Sequence, residues 1–294
     1  MTYLGFLTVF LLVPILALTL FHLLVSPLSS RRVKARNSFN AAFPRENSRD
    51  KTGISGNKND RKPAWLALMV LSGVAVVYTS PWDNYLVANR IWWYDPERIA
   101  GIVLGWVPLE EYLFFILQVL FTGLIALAFL DIRRGRVRKP QENTSSRWVL
   151  PVISGIIWLC AAAVLYLRWS PGTYLALLSL WALPPLAIQA AFGGDILWSY
   201  RGVLASAISI PTLFLASSDA LAIHSGIWTI NPERSLNLFL GPLPLEELLF
   251  FLTTNALIVS GFILAVSPEG RMRLDSLLPI LATSKQVSSS HTKT

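Results

Sequence analysis

Two pairs of adjacent glutamates have the residue types and spacing for acid–base chemistry. Glu110 and Glu111 lie in the stretch GWVPLEEYLFFILQ, and Glu246 and Glu247 occupy the same places in GPLPLEELLFFLTT. Both pairs stand just inside an apolar run, where ionisable side chains are costly and usually mark a functional site. Burial and a like-charged neighbour favour a neutral carboxyl group, whereas a helix N-terminus favours an ionised one. Such a pair could therefore supply a general acid and a general base.

Aromatic and amide side chains recur at fixed distances from both pairs. At about 100° per residue, Glu110, Phe114 and Gln118 share one helix face, and Glu111 and Phe115 share the adjacent stripe. The matching candidates are Phe250, Phe251, Thr254 and Asn255 after the second pair, and Trp92 and Trp228 before the two pairs. Phenyl and indole faces could stabilise a developing carbocation, although ordinary helix packing also explains the phenylalanines.

Helix capping is the competing explanation for the acidic residues. Acids in a first turn, behind a proline such as Pro108 or Pro244, are common at helix starts. Capping accounts for one acid at each site, but not for two adjacent acids with an aromatic pair at a fixed distance. Asp83 and Asp219 are also matched, and they are predicted to be either supporting polar groups or exposed helix-end carboxylates.

The two motifs belong to a longer internal repeat. Residues 83–115 align without a gap to residues 219–251, at a constant offset of 136. A weaker match relates Tyr3 to Tyr174 at an offset of 171. The first three predicted helices should therefore repeat as the last three, in parallel orientation about an axis normal to the membrane.

The composition predicts an all-α membrane protein. Hydrophobic residues make up 53% of the 294 residues and charged residues only 14%, against about 25% charged in soluble domains. Seven apolar runs could each span a bilayer. They are predicted as Thr2–Val25, Ala64–Thr79, Pro108–Leu130, Trp148–Leu167, Thr173–Phe192 (kinked at Pro184-Pro185), Gly202–Ser217 and Pro244–Val266.

The organisation that follows has four parts. A first repeat covers residues 1–130 and includes a basic, disordered loop at 26–63. A basic loop and linker helix cover 131–172, a second repeat covers 173–266, and a polar tail covers 267–294. The connections 80–105 and 218–243, rich in aromatic and turn residues, are predicted to lie at the membrane interface.

The distribution of charge predicts an orientation rather than a nucleic-acid partner. The net charge of +8 is concentrated in the loops after the first and third predicted helices and in the tail. This pattern places those segments in the cytoplasm, with the N-terminus outside and the C-terminus inside. Binding of nucleic acid or acidic lipid by the first loop stays open as a weaker alternative.

Sequence motifs for cofactors and metals are absent. The chain has no Gly-x-Gly-x-x-Gly after a strand, no phosphate loop and no histidine or cysteine spacing typical of a metal or haem site. The last predicted helix contains no lysine, so a retinal-type Schiff base is excluded. The sequence therefore predicts no cofactor and no metal.

At Pro108–Phe115 and Pro244–Phe251 the chain resembles the integral-membrane lycopene cyclase family of bacteria, archaea and fungi. In that family, tandem three-helix domains carry the motif Pro-x-Glu-(Glu/Asp)-x-x-Phe-Phe, and Pro81–Asn84 is similar too. The resemblance covers most of the chain outside 26–63 and the tail. The second copy departs from the family pattern at Ser217–Ala220, which puts the role of Asp219 in question.

The resemblance implies carotenoid biosynthesis, with cyclisation of the acyclic (ψ) ends of lycopene to β-rings as in γ- or β-carotene. It implies that glutamates are acid and base, that no cofactor is needed, and that the partners are lycopene, membrane lipid and other carotenoid-pathway enzymes. Cyclisation of C50 carotenoids and hydration of carotenoid ends are the nearest alternatives. A proton-coupled transporter, or a receptor or scaffold, remains as an alternative of a different class.

Overall fold

A computed structural model describes residues 1–24, 62–133 and 144–277. Within these ranges seven helices are long and apolar enough to cross a membrane, as predicted. They are α1 (Tyr3–Leu24, with a π-helical turn at Thr8–Leu12), α2 (Lys62–Ala88), α3 (Leu109–Ile132), α4 (Thr144–Tyr166), α5 (Thr173–Ser199), α6 (Arg201–His224) and α7 (Leu245–Val266). The predictions for the loop at 26–63 and for the end of the tail fall largely outside the described residues.

The second and sixth helices are longer than predicted. Instead of ending at Thr79, α2 continues through Pro81 to Ala88, because a proline inside a helix removes one backbone hydrogen bond without necessarily ending it. Likewise, α6 continues past Ser217 to His224. Serines in this polar run bond to carbonyl groups of the preceding turn, so helical structure satisfies them. Asp83 and Asp219 consequently lie within helices and are buried, instead of ending exposed helices.

The fifth helix also extends beyond its predicted end at Phe192. Gly193 has non-helical backbone angles, with φ −151° and ψ 33°, and helical structure continues after it to Ser199. Arg273, on a helical segment at 268–277, donates to the Phe192 carbonyl at 2.7 Å and binds the Asp195 carboxylate with both terminal nitrogens. The ion pair holds the segment after α7 against α5, close to Gly193.

Short strands, which the sequence did not predict, lie in both aromatic connections. Strand β1 (Trp92–Tyr94) pairs antiparallel with β4 (Trp228–Ile230). The hairpins are β2–β3 (Val103–Leu104 with Val107–Pro108) and β5–β6 (Phe239–Leu240 with Leu243–Pro244). Trp93 lies opposite Thr229, its own counterpart in the repeat, so the β1–β4 pair joins the two repeats at matched positions.

The two repeats make the same backbone hydrogen bonds around this strand pair. The Tyr3 amide donates to the Arg98 carbonyl at 2.8 Å, and the Tyr174 amide donates to the Arg234 carbonyl at 2.9 Å. Across the repeats, Asp95 bonds to Ile227 and Asn231 bonds to Ile91, each at 2.9 Å. These bonds fix the starts of α1 and α5 beside the strands and therefore beside the glutamate motifs.

Glycine begins the turn that precedes each glutamate motif. Gly105 and Gly241 have φ of 71° and 64°, which suits the first central position of a two-residue hairpin. At Gly105, a Cβ would come within 2.3 Å of the Asn84 Oδ1 atom, which accepts from the Trp106 amide at 2.7 Å. In the first repeat, Asn84 of α2 therefore stabilises the turn that precedes α3.

Candidate active site

One cavity lies between the two repeats and receives a glutamate from each. It contains about 520 Å³ of space free of protein atoms, part of it open to the surroundings, and both Glu111 of α3 and Glu247 of α7 line it. The other lining side chains are mostly aromatic: Tyr3, Phe6, Trp92, Tyr94, Phe114, Tyr174, Trp228, Phe250 and Phe251, with Leu215, Asp219 and Ile230. The repeats thus build a single shared site from equivalent ends of α3 and α7.

Two phenols hold the Glu111 carboxylate. Tyr3 from the start of α1 and Tyr94 from β1 both donate to Glu111 Oε2, at 2.5 and 2.9 Å. The two phenol rings are stacked, with centroids 6.1 Å apart. Burial raises the pKa of Tyr94 well above its ordinary value, and the nearby Asp83 and Glu111 raise it further. Tyr94 therefore remains a hydrogen-bond donor at physiological pH.

One phenol holds the Glu247 carboxyl group. Tyr174, from the start of α5, donates to Glu247 Oε1 at 2.7 Å. The residue that matches Tyr94 in the second repeat is Ile230, which has no donor. Glu111 therefore accepts two phenolic hydrogen bonds and Glu247 accepts one. This difference is the main chemical asymmetry of a site whose sequence motifs look equivalent.

The first glutamate of each pair contacts a connection instead of lining the cavity. Glu110 Oε1 accepts from the Ala100 amide, and Glu246 Oε1 accepts from the matching Leu236 amide at 2.7 Å. Both side chains are almost fully buried, and the second oxygen of each has no partner among the described residues. The geometry therefore divides each pair into one residue that holds a connection and one that faces the cavity.

The matched aspartates are buried close to the glutamates. Asp83 is 1% exposed, and neither of its carboxylate oxygens has a hydrogen-bond partner among the described residues. Asp219 is 2% exposed, lines the cavity and accepts a hydrogen bond from Trp228. A buried aspartate without partners is costly as an anion, so the surroundings favour its neutral form.

Aromatic rings form a continuous wall across the predicted site. The Phe250 ring contacts Phe251 at 5.2 Å between centroids, and it is stacked with Trp82 at 6.1 Å. Phe114 contacts Phe251 across the repeats at 6.3 Å. Trp92 and Trp228 line the same cavity. The π faces of these rings can stabilise a cation that has no water around it.

A family model described as lycopene cyclase matches residues 55–129 and 168–264. The chain belongs to the lycopene cyclase family. The lycopene beta-cyclase of Halobacterium salinarum is 40% identical over 195 residues, which are 66% of this chain and 80% of that protein. The residues matched by the family model include both glutamate motifs and most of the cavity lining, whereas Tyr3 and Phe6 lie before them.

Fungal members of the lycopene cyclase family match over a smaller share of their own length. The bifunctional lycopene cyclase/phytoene synthase of Aspergillus oryzae is 35% identical over 207 residues, covering 68% of this chain and 34% of the fungal protein. The protein of the same description from Neurospora crassa is 35% identical over 202 residues, with shares of 64% and 33%. No solved structure matches the chain.

The other predicted site residues lie next to the shared cavity. Phe115 and Gln118 line a second, adjoining cavity. Gln118 donates to Thr254 at 2.8 Å, and Asn255 accepts from Thr122 at 2.8 Å, which joins α3 to α7. This buried network fixes the spacing of the two helices that carry the glutamates.

Three tyrosines in the site were not among the predicted site residues. Tyr3 and Tyr174 are matched in the weak repeat between the first and fifth helices, and that match could have singled them out. Tyr94 gives no such signal, because Ile230 stands at the matching position. Its role depends on the β1–β4 pairing, which brings it to Glu111.

Proposed function

We propose that this member of the family is a lycopene β-cyclase, which converts ψ-ends of lycopene to β-rings without changing the molecular formula. The observation that carries the proposal is the placement of Glu111 and Glu247 together in one aromatic cavity. The Halobacterium relative carries the same activity in its name. An isomerisation of this kind needs a proton donor, a proton acceptor and a wall that stabilises a cation, and the cavity offers all three.

The reaction balances with these groups alone. A neutral glutamic acid gives its proton to the terminal double bond of the ψ-end, which leaves a tertiary carbocation. The nearby double bond of the chain attacks that cation, and a carbon–carbon bond closes the six-membered ring. A carboxylate then removes a proton from the ring carbon beside the new cation, and the ring double bond forms. One proton enters and one leaves, so no oxidant or reductant is consumed.

Hydrogen bonding favours Glu247 as the acid and Glu111 as the base. A carboxylate is stabilised by each donor that bonds to it, and Glu111 has two phenolic donors where Glu247 has one. Glu110 and Glu246 act in this proposal as positioning residues, because each bonds to a backbone amide of its connection.

Expression in bacteria that accumulate lycopene tests this function. We expect red lycopene to be replaced by yellow monocyclic or bicyclic carotene, identified by chromatography. In D₂O, each ring formed should carry one deuterium, because the general acid exchanges its proton with solvent. Unchanged lycopene, with the full-length chain detected in the membrane, contradicts the proposal.

We also propose that the site opens on the outer side of the membrane. The basic residues of the sequence favour a cytoplasmic location for the loops after α1 and α3 and for the tail. Tyr3 and the starts of α3 and α7 then lie at the outer side. A reporter fused to the C-terminus should be active only as a cytoplasmic reporter, and an active periplasmic reporter at that position contradicts this orientation. Membrane lipid is the proposed surrounding partner.

A further inference from the structure

We infer that a second, apolar cavity beside the glutamate site binds the polyene chain of the carotenoid while its ψ-end reacts. This inference rests on the proposed function, since it assigns a place to the rest of the same substrate. The second cavity contains about 770 Å³ of space free of protein atoms, part of it open to the surroundings, and lies between α2, α3, α5 and α7. Phe250 lines both cavities, so the two adjoin at that ring.

The shape of the cavity suits an extended hydrocarbon chain. Its walls run along α2 from Leu71 to Thr79 and along α5 from Trp181 to Gln189. Each of these stretches advances eight residues, which corresponds to about 12 Å along a helix axis. Most of the lining side chains are aliphatic or aromatic. A conjugated chain that enters from the Phe250 end would lie roughly parallel to the helices.

Both ends of this cavity are narrowed by side chains. Near the glutamate site, Tyr78 donates to the Trp181 carbonyl at 2.8 Å and thereby links α2 to α5. At the far end, Leu71 and Gln189 approach Gly261 so closely that a Cβ there would lie 3.2 and 3.0 Å from them. A C40 polyene is longer than this space, so its remainder must leave sideways.

The side exit lies between α2 and α5 beside Val74, one helical turn away from the Tyr78–Trp181 hydrogen bond. Val74 and Tyr78 both line the cavity, yet 55% of the Val74 surface and 42% of the Tyr78 surface are exposed. In a membrane this outside surface faces the lipid tails. The substrate can therefore enter from the bilayer and leave its distal part among the lipids, without passing through water.

Among the described residues, the equivalent positions of the other half pack against one another. The second-cavity residues Tyr78, Trp181 and Leu257 correspond in the other half to Phe214, Phe10 and Phe121. The Phe214 ring packs on Phe121 at 5.2 Å and on Phe10 at 6.5 Å between centroids. A polyene therefore has one preferred side of the shared site. A substrate with two ψ-ends must leave and return reversed, so monocyclic γ-carotene should precede β-carotene as a released product.

A volume series at Ala75 tests the assignment against a matched series at Val77. Ala75 lines the second cavity, whereas Val77 lies two residues further along α2 and is 76% exposed on the lipid side. Ala75→Leu, Ala75→Phe and Ala75→Trp should lower the rate of lycopene cyclisation progressively, by at least about tenfold for Trp. The same three substitutions at Val77 should leave the rate within about twofold of the unchanged chain.

The outcome separates this inference from the proposed function. If the unchanged chain converts lycopene but the two series behave alike, with equal amounts of protein in the membrane, the channel assignment is overturned. The assignment is also overturned if the cyclisation rates of the Ala75 variants fall only in proportion to the amount of protein in the membrane. Ala75→Leu, the smallest change in the series, is the variant least expected to reduce that amount. If the unchanged chain fails to convert lycopene, the proposed function itself fails.

Discussion

Glu247→Gln should lower the rate of lycopene cyclisation by about 10²- to 10⁴-fold, the usual contribution of a general acid. The glutamine keeps the size of the side chain and can still accept the Tyr174 hydrogen bond, but it has no acidic proton to give. Glu111→Gln should cause a loss of similar size, because the ring proton then has no carboxylate to accept it. Initial rates with lycopene in isolated membranes measure both effects.

Glu110→Gln is the matched control for these variants. It makes the same chemical change one residue away, and its amide oxygen can still accept from the Ala100 backbone. We therefore expect its rate to stay within about fivefold of the unchanged chain, whereas Glu110→Ala should lose more because it removes the acceptor of the Ala100 amide. A Glu110→Gln loss as large as that of Glu111→Gln would refute the division of the pair into positioning and reacting residues.

Deuterium exchange distinguishes the acid from the base. Without its base, a Glu111→Gln variant in D₂O can still add a deuteron to the terminal double bond, and loss of a hydrogen from the same carbon or from a neighbouring methyl group restores the double bond. Lycopene recovered from D₂O should then carry deuterium at its terminal end. Glu247→Gln should return lycopene without deuterium, because no protonation takes place. If lycopene recovered from Glu247→Gln carried deuterium and lycopene recovered from Glu111→Gln did not, Glu111 would be the acid and Glu247 the base.

Tyr174→Phe should reduce activity much more than Tyr3→Phe. The first substitution removes the single phenolic donor to Glu247, whereas the second leaves Tyr94 bonded to Glu111. An unpaired buried polar group costs about 1–3 kcal/mol, so Tyr174→Phe should lower the rate by roughly 5- to 150-fold. We expect Tyr3→Phe to lower it by less than about fivefold. Cyclisation rates per amount of membrane protein give the comparison.

The double variant Tyr3→Phe with Tyr94→Phe completes this test. It removes both phenolic donors of Glu111 and should approach the loss expected for Tyr174→Phe. Tyr166→Phe is a suitable control, because Tyr166 lies at the end of α4 with 87% of its surface exposed. Equal losses for Tyr3→Phe and Tyr174→Phe would show that the extra donor from Tyr94 has no influence on the site.

The sequence predicts the parts of the fold that depend on apolar runs and on the repeat. Seven spans follow from hydropathy, and the glutamate motifs at the starts of α3 and α7 follow from Pro108 and Pro244. The ends of α2 and α6 could not be predicted in this way. Pro81 and the polar run at Ser217 resemble helix ends locally, and tertiary packing decides that they lie inside helices.

The chemistry of the site could be predicted by residue type but not by role. Glu110 and Glu111 are neighbours in sequence, and only the course of the connection shows that one bonds to Ala100 while the other faces the cavity. The contribution of Tyr94 depends on the pairing of β1 with β4, two strands more than a hundred residues apart. Three-residue strands give too weak a pattern for such a pairing to be predicted.

We propose that the two repeats form one acid–base centre instead of two independent ones. The most direct test compares the initial rates of lycopene cyclisation by Glu111→Gln, Glu247→Gln and the double variant, each normalised to protein in the membrane. A shared centre predicts that each single variant loses at least about 100-fold and that the double variant loses little more, since groups that act as a unit are not additive. If each single variant kept about half of the activity and only the double variant were inactive, each repeat would have its own site and the claim would be contradicted.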